Sequence, residues 1–173
     1  MSFTDTVKRP IVATDAFVCV STRKGIYLLV IERKFEPYGY AFPGGKLDFG
    51  EMLYDGAKRE LWEETGLEID GSWDVNGALP ALCLSNPNRD PRTHVISFVF
   101  RFSKYIHSVD DLPVVKAMDD AKSVKWMHID EVRANKVKFV CDHYDLVGML
   151  SPEYYRSDDE YNNSPSIGMF EFR

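Results

Sequence analysis

The chain of 173 residues is the size of one globular domain. At 45% hydrophobic, 13% aromatic and 28% charged residues it can build a core, which excludes a disordered chain. A formal net charge of −6 argues against a dedicated binder of nucleic-acid backbones, whose surplus is basic; a small anionic ligand held by a few cations or a metal stays open.

The first ten residues are polar and end in Arg9-Pro10. Ile11 to Thr22, rich in Val, Ala and Phe, reads as a buried strand, Arg23-Lys24-Gly25 as a turn, and Ile26–Arg33 as the hairpin partner. Lys34–Gly45 carries two prolines and three glycines and reads as a loop ending in Pro43-Gly44-Gly45. Glu51–Thr65 has no proline and reads as a helix stopped by Gly66, with Asp48 to Glu51 as a capping box at its start. The Asn- and Pro-rich loop Ser85–Arg92 precedes a strand over Val95–Phe102, and Ser123–His128 is a shorter strand. Ile129–Leu150 is mostly helix-compatible, with Val137, Val140, Leu146 and Leu150 as core positions. After Ser151-Pro152 the chain turns polar and Tyr-rich, leaving Ile167–Phe172 as a candidate edge strand. Strands, a helix, more strands and a late helix, without repeats, predict one α+β layered fold with a mixed sheet over residues 1–150 and a polar tail over 151–173.

Cys19, Cys83 and Cys141 are odd in number, widely spaced and without a CxxC pair, which argues against a disulfide scaffold and a structural zinc site. Apolar runs such as Ile26–Ile31 are too short to span a bilayer, and MSFTDTVKRP lacks the apolar centre of a signal peptide. The expectation is a soluble cytoplasmic domain with no membrane partner.

The chemistry concentrates on the helix after Gly45. At about 100° per residue, Glu60, Glu63 and Glu64 fall within an arc of roughly 100°. With Leu53 as zero, Ala57 lies near 40° and Leu61 near 80°, while Glu60 and Glu64 lie within about 20° of Leu53. Two acids therefore share the side that should face the protein, where a solvated helix would turn them outward. Carboxylates on a partly buried face are costly unless a cation neutralises them. Their hard oxygens favour Mg²⁺ or Mn²⁺ over zinc. A surface helix laced with ion pairs, Arg59 with Glu63 or Asp55 with Arg59, would show a similar charge pattern.

The spacing separates these readings. Gly45, five residues, Glu51, seven residues, then Arg59-Glu60-Leu61-Trp62-Glu63-Glu64-Thr65-Gly66-Leu67 fills nine defined positions over 23 residues. In this the chain resembles the Nudix hydrolases, matching their box at every defined position. The resemblance implies an αβα Nudix sandwich and hydrolysis of a nucleoside diphosphate linked to another moiety, with Mg²⁺ or Mn²⁺. It implies metal ligands at Glu60, Glu63 and Glu64, with the Gly44 carbonyl as a further one. Glu51 and Arg59 would pair to hold the loop against the helix, or Glu51 would reach a metal. Glu51, Glu60, Glu63, Glu64 and an acid of the Asp119-Asp120 loop all stay open as the base that activates water.

Outside the box, Ser85-Asn-Pro-Asn-Arg-Asp-Pro-Arg92 followed by His94 resembles the RDPR segment of ADP-ribose pyrophosphatase-like Nudix proteins. Asp119-Asp120-Ala121 before Trp126, and Phe139 with Asp142-His143, resemble further segments of that group, although Val140-Cys141 separate Phe139 from Asp142 where the family pattern is compact. Arg89 and Arg92 are candidate clamps for a diphosphate, because guanidinium pairs phosphate oxygens bidentately; Arg33 is a further phosphate or ribose contact. A rigid turn with Arg92 paired to Asp90 is the structural alternative for that loop. His94 and His143 read as structural hydrogen-bonders. Phe35, Tyr38 and Tyr40 read as packing, dimer contacts or an adenine stack. The resemblance thus implies an ADP-ribose pyrophosphatase yielding AMP and ribose 5-phosphate, and a homodimer. The competing readings are hydrolysis of another nucleotide sugar, a dinucleotide or an NTP, and a non-catalytic ADP-ribose sensor.

Overall fold

The computed structural model describes residues 8–118 and 120–151. The expected hairpin is present: β1 (Ile11–Thr22) and β2 (Gly25–Arg33) run antiparallel, with Thr22 opposite Gly25. Gly25 takes a positive φ of 122° at the turn, which suits a residue without a side chain. Two short strands follow in the glycine-rich segment, β3 (Tyr40–Ala41) and β4 (Gly44–Lys46). After helix α1 (Leu53–Thr65) come β5 (Asp74–Val75), β6 (Leu82–Leu84), the long β7 (Val95–Tyr105) and β8 (Ala121–His128). The chain then forms α2 (Ile129–Ala134) and α3 (Asp145–Leu150).

All eight strands join one mixed sheet. β1 is central, parallel to β7 on one side and antiparallel to β2 and β4. β1 is buried without a break from Ala13 to Val20, as expected of a strand covered on both faces. On one face Ala16, Val18, Val20, Leu29, Phe100 and Phe102 pack with Ala57 and Leu61 of α1. On the other, Phe17, Cys19, Leu28, Val30 and Met127 pack with Val132, Leu146 and Val147 of α2 and α3. Helix, sheet and helices form three layers. Among the described residues, no helix is long and apolar enough to cross a membrane.

Two expectations need correction. The Asp48–Glu51 pair does not cap α1, which starts at Leu53 after Met52 and has no side-chain cap. Glu51 N–H donates to the Asp48 carbonyl at 3.2 Å and Asp48 N–H to Glu51 Oε2 at 3.1 Å, closing a separate turn ahead of the helix. The far end behaves as expected: Gly66 adopts the left-handed conformation at φ 68° and returns its N–H to the Trp62 carbonyl.

The second correction concerns Ile129–Leu150, which is broken rather than mostly helical. After α2 and a single 3-10 turn at Lys136–Lys138, residues 139–143 run back along β3. Val140 N–H donates to the Tyr40 carbonyl at 2.9 Å, and Cys141 takes a positive φ of 51°. That detour buries Val140 but leaves Val137, an expected core residue, 92% exposed; Leu146 is buried as expected and Leu150 packs half-buried against the core. The candidate edge strand at Ile167–Phe172 and residue Asp119 lie outside the described residues.

Candidate active site

A cavity of ≈ 590 Å³ is lined by residues of β4 and α1, by Arg33 at the end of β2, and by the loop that carries Arg89 and Arg92. The sequence places carboxylates on α1 and arginines elsewhere, and the fold brings them to one space.

On the α1 wall, Arg59 forms the hub. Its Nε and Nη2 donate to Glu51 Oε1 and Oε2 at 2.8 and 3.0 Å, a bidentate pair, and Nη2 also donates to the Lys46 carbonyl at 3.1 Å. Nη1 donates to Glu60 Oε1 at 2.9 Å and Glu63 Oε2 at 3.0 Å. One guanidinium thus ties the loop before α1 to the helix and hydrogen-bonds two further acids, three carboxylates sharing one cation. The expected Arg59–Glu63 ion pair is part of this knot, not an isolated surface pair. Arg59 holds the Glu51 carboxyl below the ordinary glutamate range, burial opposing it only in part.

Glu60 and Glu64 turn inward, as their azimuth requires. Glu64 is 5% exposed and its Oε2 accepts the Gly44 N–H at 2.9 Å. Burial pushes the Glu64 carboxyl up to about 8; the Gly44 N–H opposes this, and the nearby charges of Glu60 and Asp15 add to it. Glu60 is raised by burial as well, with Arg59 opposing. The loop is shaped to admit these acids. Pro43 and Leu47 bond to β1 through their backbone, so the alternation of the ladder turns the groups of Gly44 the other way, toward Glu64. At Gly45 a Cβ would overlap the Glu60 carboxylate.

These donors fit a hard divalent cation: carboxylate oxygens on one helical turn, held against a glycine loop no larger residue could occupy. Among the described residues, no three acidic, His or Cys groups already converge as a cage. Glu60 and Glu63 instead share Arg59 Nη1.

The arginines line the same cavity. Arg33 lines the cavity and donates from Nε to the Pro37 carbonyl at 2.9 Å. Arg92 Nε and Nη2 pair with Asp90 at 3.0 and 2.7 Å, and its backbone N–H also donates to Asp90, so the rigid turn considered from sequence is present. Half the Arg92 side chain remains exposed, and Nη1 reaches the Glu36 carbonyl at 3.2 Å. Arg89 differs: its side chain is only 6% exposed and its Nε and Nη2 grip Asp142 at 2.8 and 2.7 Å. His143 is fully enclosed, its Nδ1 accepts the Phe42 N–H at 3.2 Å, and burial lowers its pKa, so the ring is a neutral hydrogen-bonder. His94 contacts the Ser85 carbonyl. Tyr40 packs on Phe139, while Phe35 is exposed and lines the cavity, and Tyr38 is exposed without lining it. Asp15, a buried acid of β1 at the cavity floor, was invisible in the sequence because a single Asp in an apolar run carries no spacing signal.

A family model of the Nudix domain matches residues 9–146. The chain belongs to the Nudix family. It is 34% identical over 140 residues to an ADP-ribose pyrophosphatase of Methanocaldococcus jannaschii, covering 80% of this chain and 71% of that protein. It is a Nudix hydrolase acting on a pyrophosphate bond. A bifunctional NMN adenylyltransferase/ADP ribose pyrophosphatase of Francisella tularensis, solved with AMP and a Mn ion, superposes with a TM-score of 0.68 at 29% identity. That match covers 83% of this chain and 41% of the bifunctional protein, so the Nudix chain spans about two fifths of that relative's length. The Nudix domain of Shewanella oneidensis NrtR, solved with ADP ribose, superposes with a TM-score of 0.65 over 86% of this chain and 90% of its own. At 18% identity that likeness speaks for the fold alone.

Proposed function

We propose that the chain is a Mg²⁺- or Mn²⁺-dependent pyrophosphohydrolase that splits ADP-ribose into AMP and ribose 5-phosphate. The observation that carries this is one cavity lined both by the carboxylates of α1 and by Arg33, Arg89 and Arg92. Glu60, Glu63 and Glu64, with the Gly44 carbonyl, would hold the metal. Bound there, it would neutralise phosphate oxygens and make a water nucleophilic. With a metal bound, Glu60 and Glu63 would be shared between it and Arg59, which Glu51 would keep anchored. Arg33 and Arg92 bind the diphosphate from the loop side, and Arg89 does so through the edge that Asp142 leaves open.

Water oxygen bonds to one phosphorus, the bridging oxygen leaves with the other phosphate, and the water protons pass through a carboxylate to solvent. Glu51 is the poorest base of the four glutamates, because both its oxygens are spent on Arg59. In this reading residues 1–150 form the catalytic domain, 151–173 a polar tail, and the protein works in the cytoplasm as a homodimer on small nucleoside diphosphate derivatives. The acidic net charge agrees with a small-molecule partner over a nucleic acid. The test is a panel of ADP-ribose, other nucleotide sugars, dinucleotides and NTPs compared by kcat/KM in Mg²⁺. ADP-ribose should lead the panel, and a clear preference for any other member would discard the substrate assignment.

A further inference from the structure

We propose that Asp15 is a positioning residue for the substrate's phosphates, its carboxylate steering the Nη2 of Arg89 that Asp142 already holds, so that Nη1 of the guanidinium serves the cavity. The inference rests on a phosphoanhydride substrate, and not on its being ADP-ribose.

Asp15 continues the inward stripe of β1 formed by Phe17 and Cys19, where an aliphatic residue would be the cheaper choice. It is 7% exposed, and a carboxylate so buried needs partners. Ser97 on β7, opposite Ala13 in the register, donates its hydroxyl to Oδ2, and Arg89 Nη2 stands 4.0 Å from the same oxygen. The other oxygen, Oδ1, lies under Gly44, where a Cβ would overlap it. Asp15 therefore meets Gly44, which bonds Glu64, and lies within ion-pair distance of Arg89.

Asp142 satisfies Arg89 with a bidentate pair by itself, so the guanidinium does not need a second acid for its own pairing. As a second partner for the guanidinium, Asp15 has a purpose. Nε and Nη2 both donate to Asp142, Nη2 also lies within ion-pair distance of Asp15, and Nη1 is the nitrogen left without a hydrogen-bond partner among the described residues. The side chain is more than nine-tenths buried yet lines the cavity, so that nitrogen is held for a ligand acceptor.

The test is a double-mutant cycle of Asp15→Asn and Arg89→Lys on whichever substrate of the panel the wild type turns over best, with kcat, KM and melting temperature read for each protein. Asp15→Asn should raise KM about tenfold with kcat within about threefold. In the Arg89→Lys background the same change should add less than about twofold, because the two residues act as one unit. Ser97→Ala, a smaller disturbance, should raise KM about threefold and keeps the test open if Asp15→Asn does not fold. An unchanged KM in the variant that folds, or effects of Asp15 and Arg89 that multiply in full, would overturn the proposal. A best substrate other than ADP-ribose would strike only the substrate assignment.

Discussion

Two arginines organise the two walls of this cavity, and they are built differently. Arg59 sits a quarter exposed among partners drawn from residues 46–63, all on one loop and the helix that follows it. Arg89 is buried and takes its partners from residues 15 and 142, on the central strand and the late segment before α3. In the local knot Nη1 bridges two carboxylates that the proposed function gives to a metal. The long-range clamp ties the Ser85–Arg92 loop to the 139–143 detour, with Asp15 of β1 within ion-pair distance. On the proposed function, the contrast divides the metal chemistry of the helix from the placement of the phosphates by the scaffold.

The largest effect should come from the helix wall. Glu63→Gln or Glu64→Gln should lower kcat about 100-fold or more at saturating Mg²⁺ while the fold persists, since on the proposed function each removes a metal ligand and leaves the core intact. Near-normal turnover in either variant would remove that residue from the ligand set. Arg59→Met should lower the melting temperature by several degrees in EDTA, because Glu51, Glu60 and Glu63 lose their common cation. Added Mg²⁺ should recover part of that loss; no recovery would break the idea that metal and Arg59 share the same carboxylates.

A pH experiment sharpens the contrast further. Glu64 keeps its proton up to about pH 8 in the folded protein, against a usual value of 4.5. Between those values the folded state binds the proton and the unfolded chain has released it. The metal-free protein should therefore lose stability as pH rises from about 4.5 to about 8, with no further loss above. Glu64→Gln lacks this term, so its melting curve in EDTA should gain on the wild type across that window, while activity is lost. Parallel curves would contradict the buried, unpaired character of Glu64. The smallest effect belongs to Arg92, half exposed and already paired with Asp90. Arg92→Ala should raise KM a few-fold, less than a change at Arg89, with kcat nearly unchanged; an unaltered KM would leave it only a turn-forming role.

The same contrast explains what the sequence could reveal. The helix wall was legible because its spacing is local: Gly45, Glu51, Arg59 and the glutamates after it keep their relative places once the helix forms, and Gly66 marks its end. The β1–β2 hairpin was legible for the same reason. The capping box was misplaced because Asp48 and Glu51 do bond reciprocally, but one turn early, in a geometry that frees Glu51 for Arg59. Strands β3 to β6 are two or three residues long and exist only through pairing with β1, β2 and β7. The break after α2 is set by the backbone contact of Val140 with Tyr40, a hundred residues earlier in the chain, which no helical periodicity encodes. Arg89 was singled out as a clamp, yet its partners Asp15 and Asp142 meet it only in the folded state.

The most direct test of the account is incubation of the wild-type protein and Glu64→Gln with ADP-ribose, in Mg²⁺ and in EDTA, with products resolved by chromatography. The account predicts AMP and ribose 5-phosphate in equal amounts from the wild type in Mg²⁺, and neither product in EDTA or from the variant. Intact ADP-ribose in every tube, or cleavage that persists in EDTA, would contradict it.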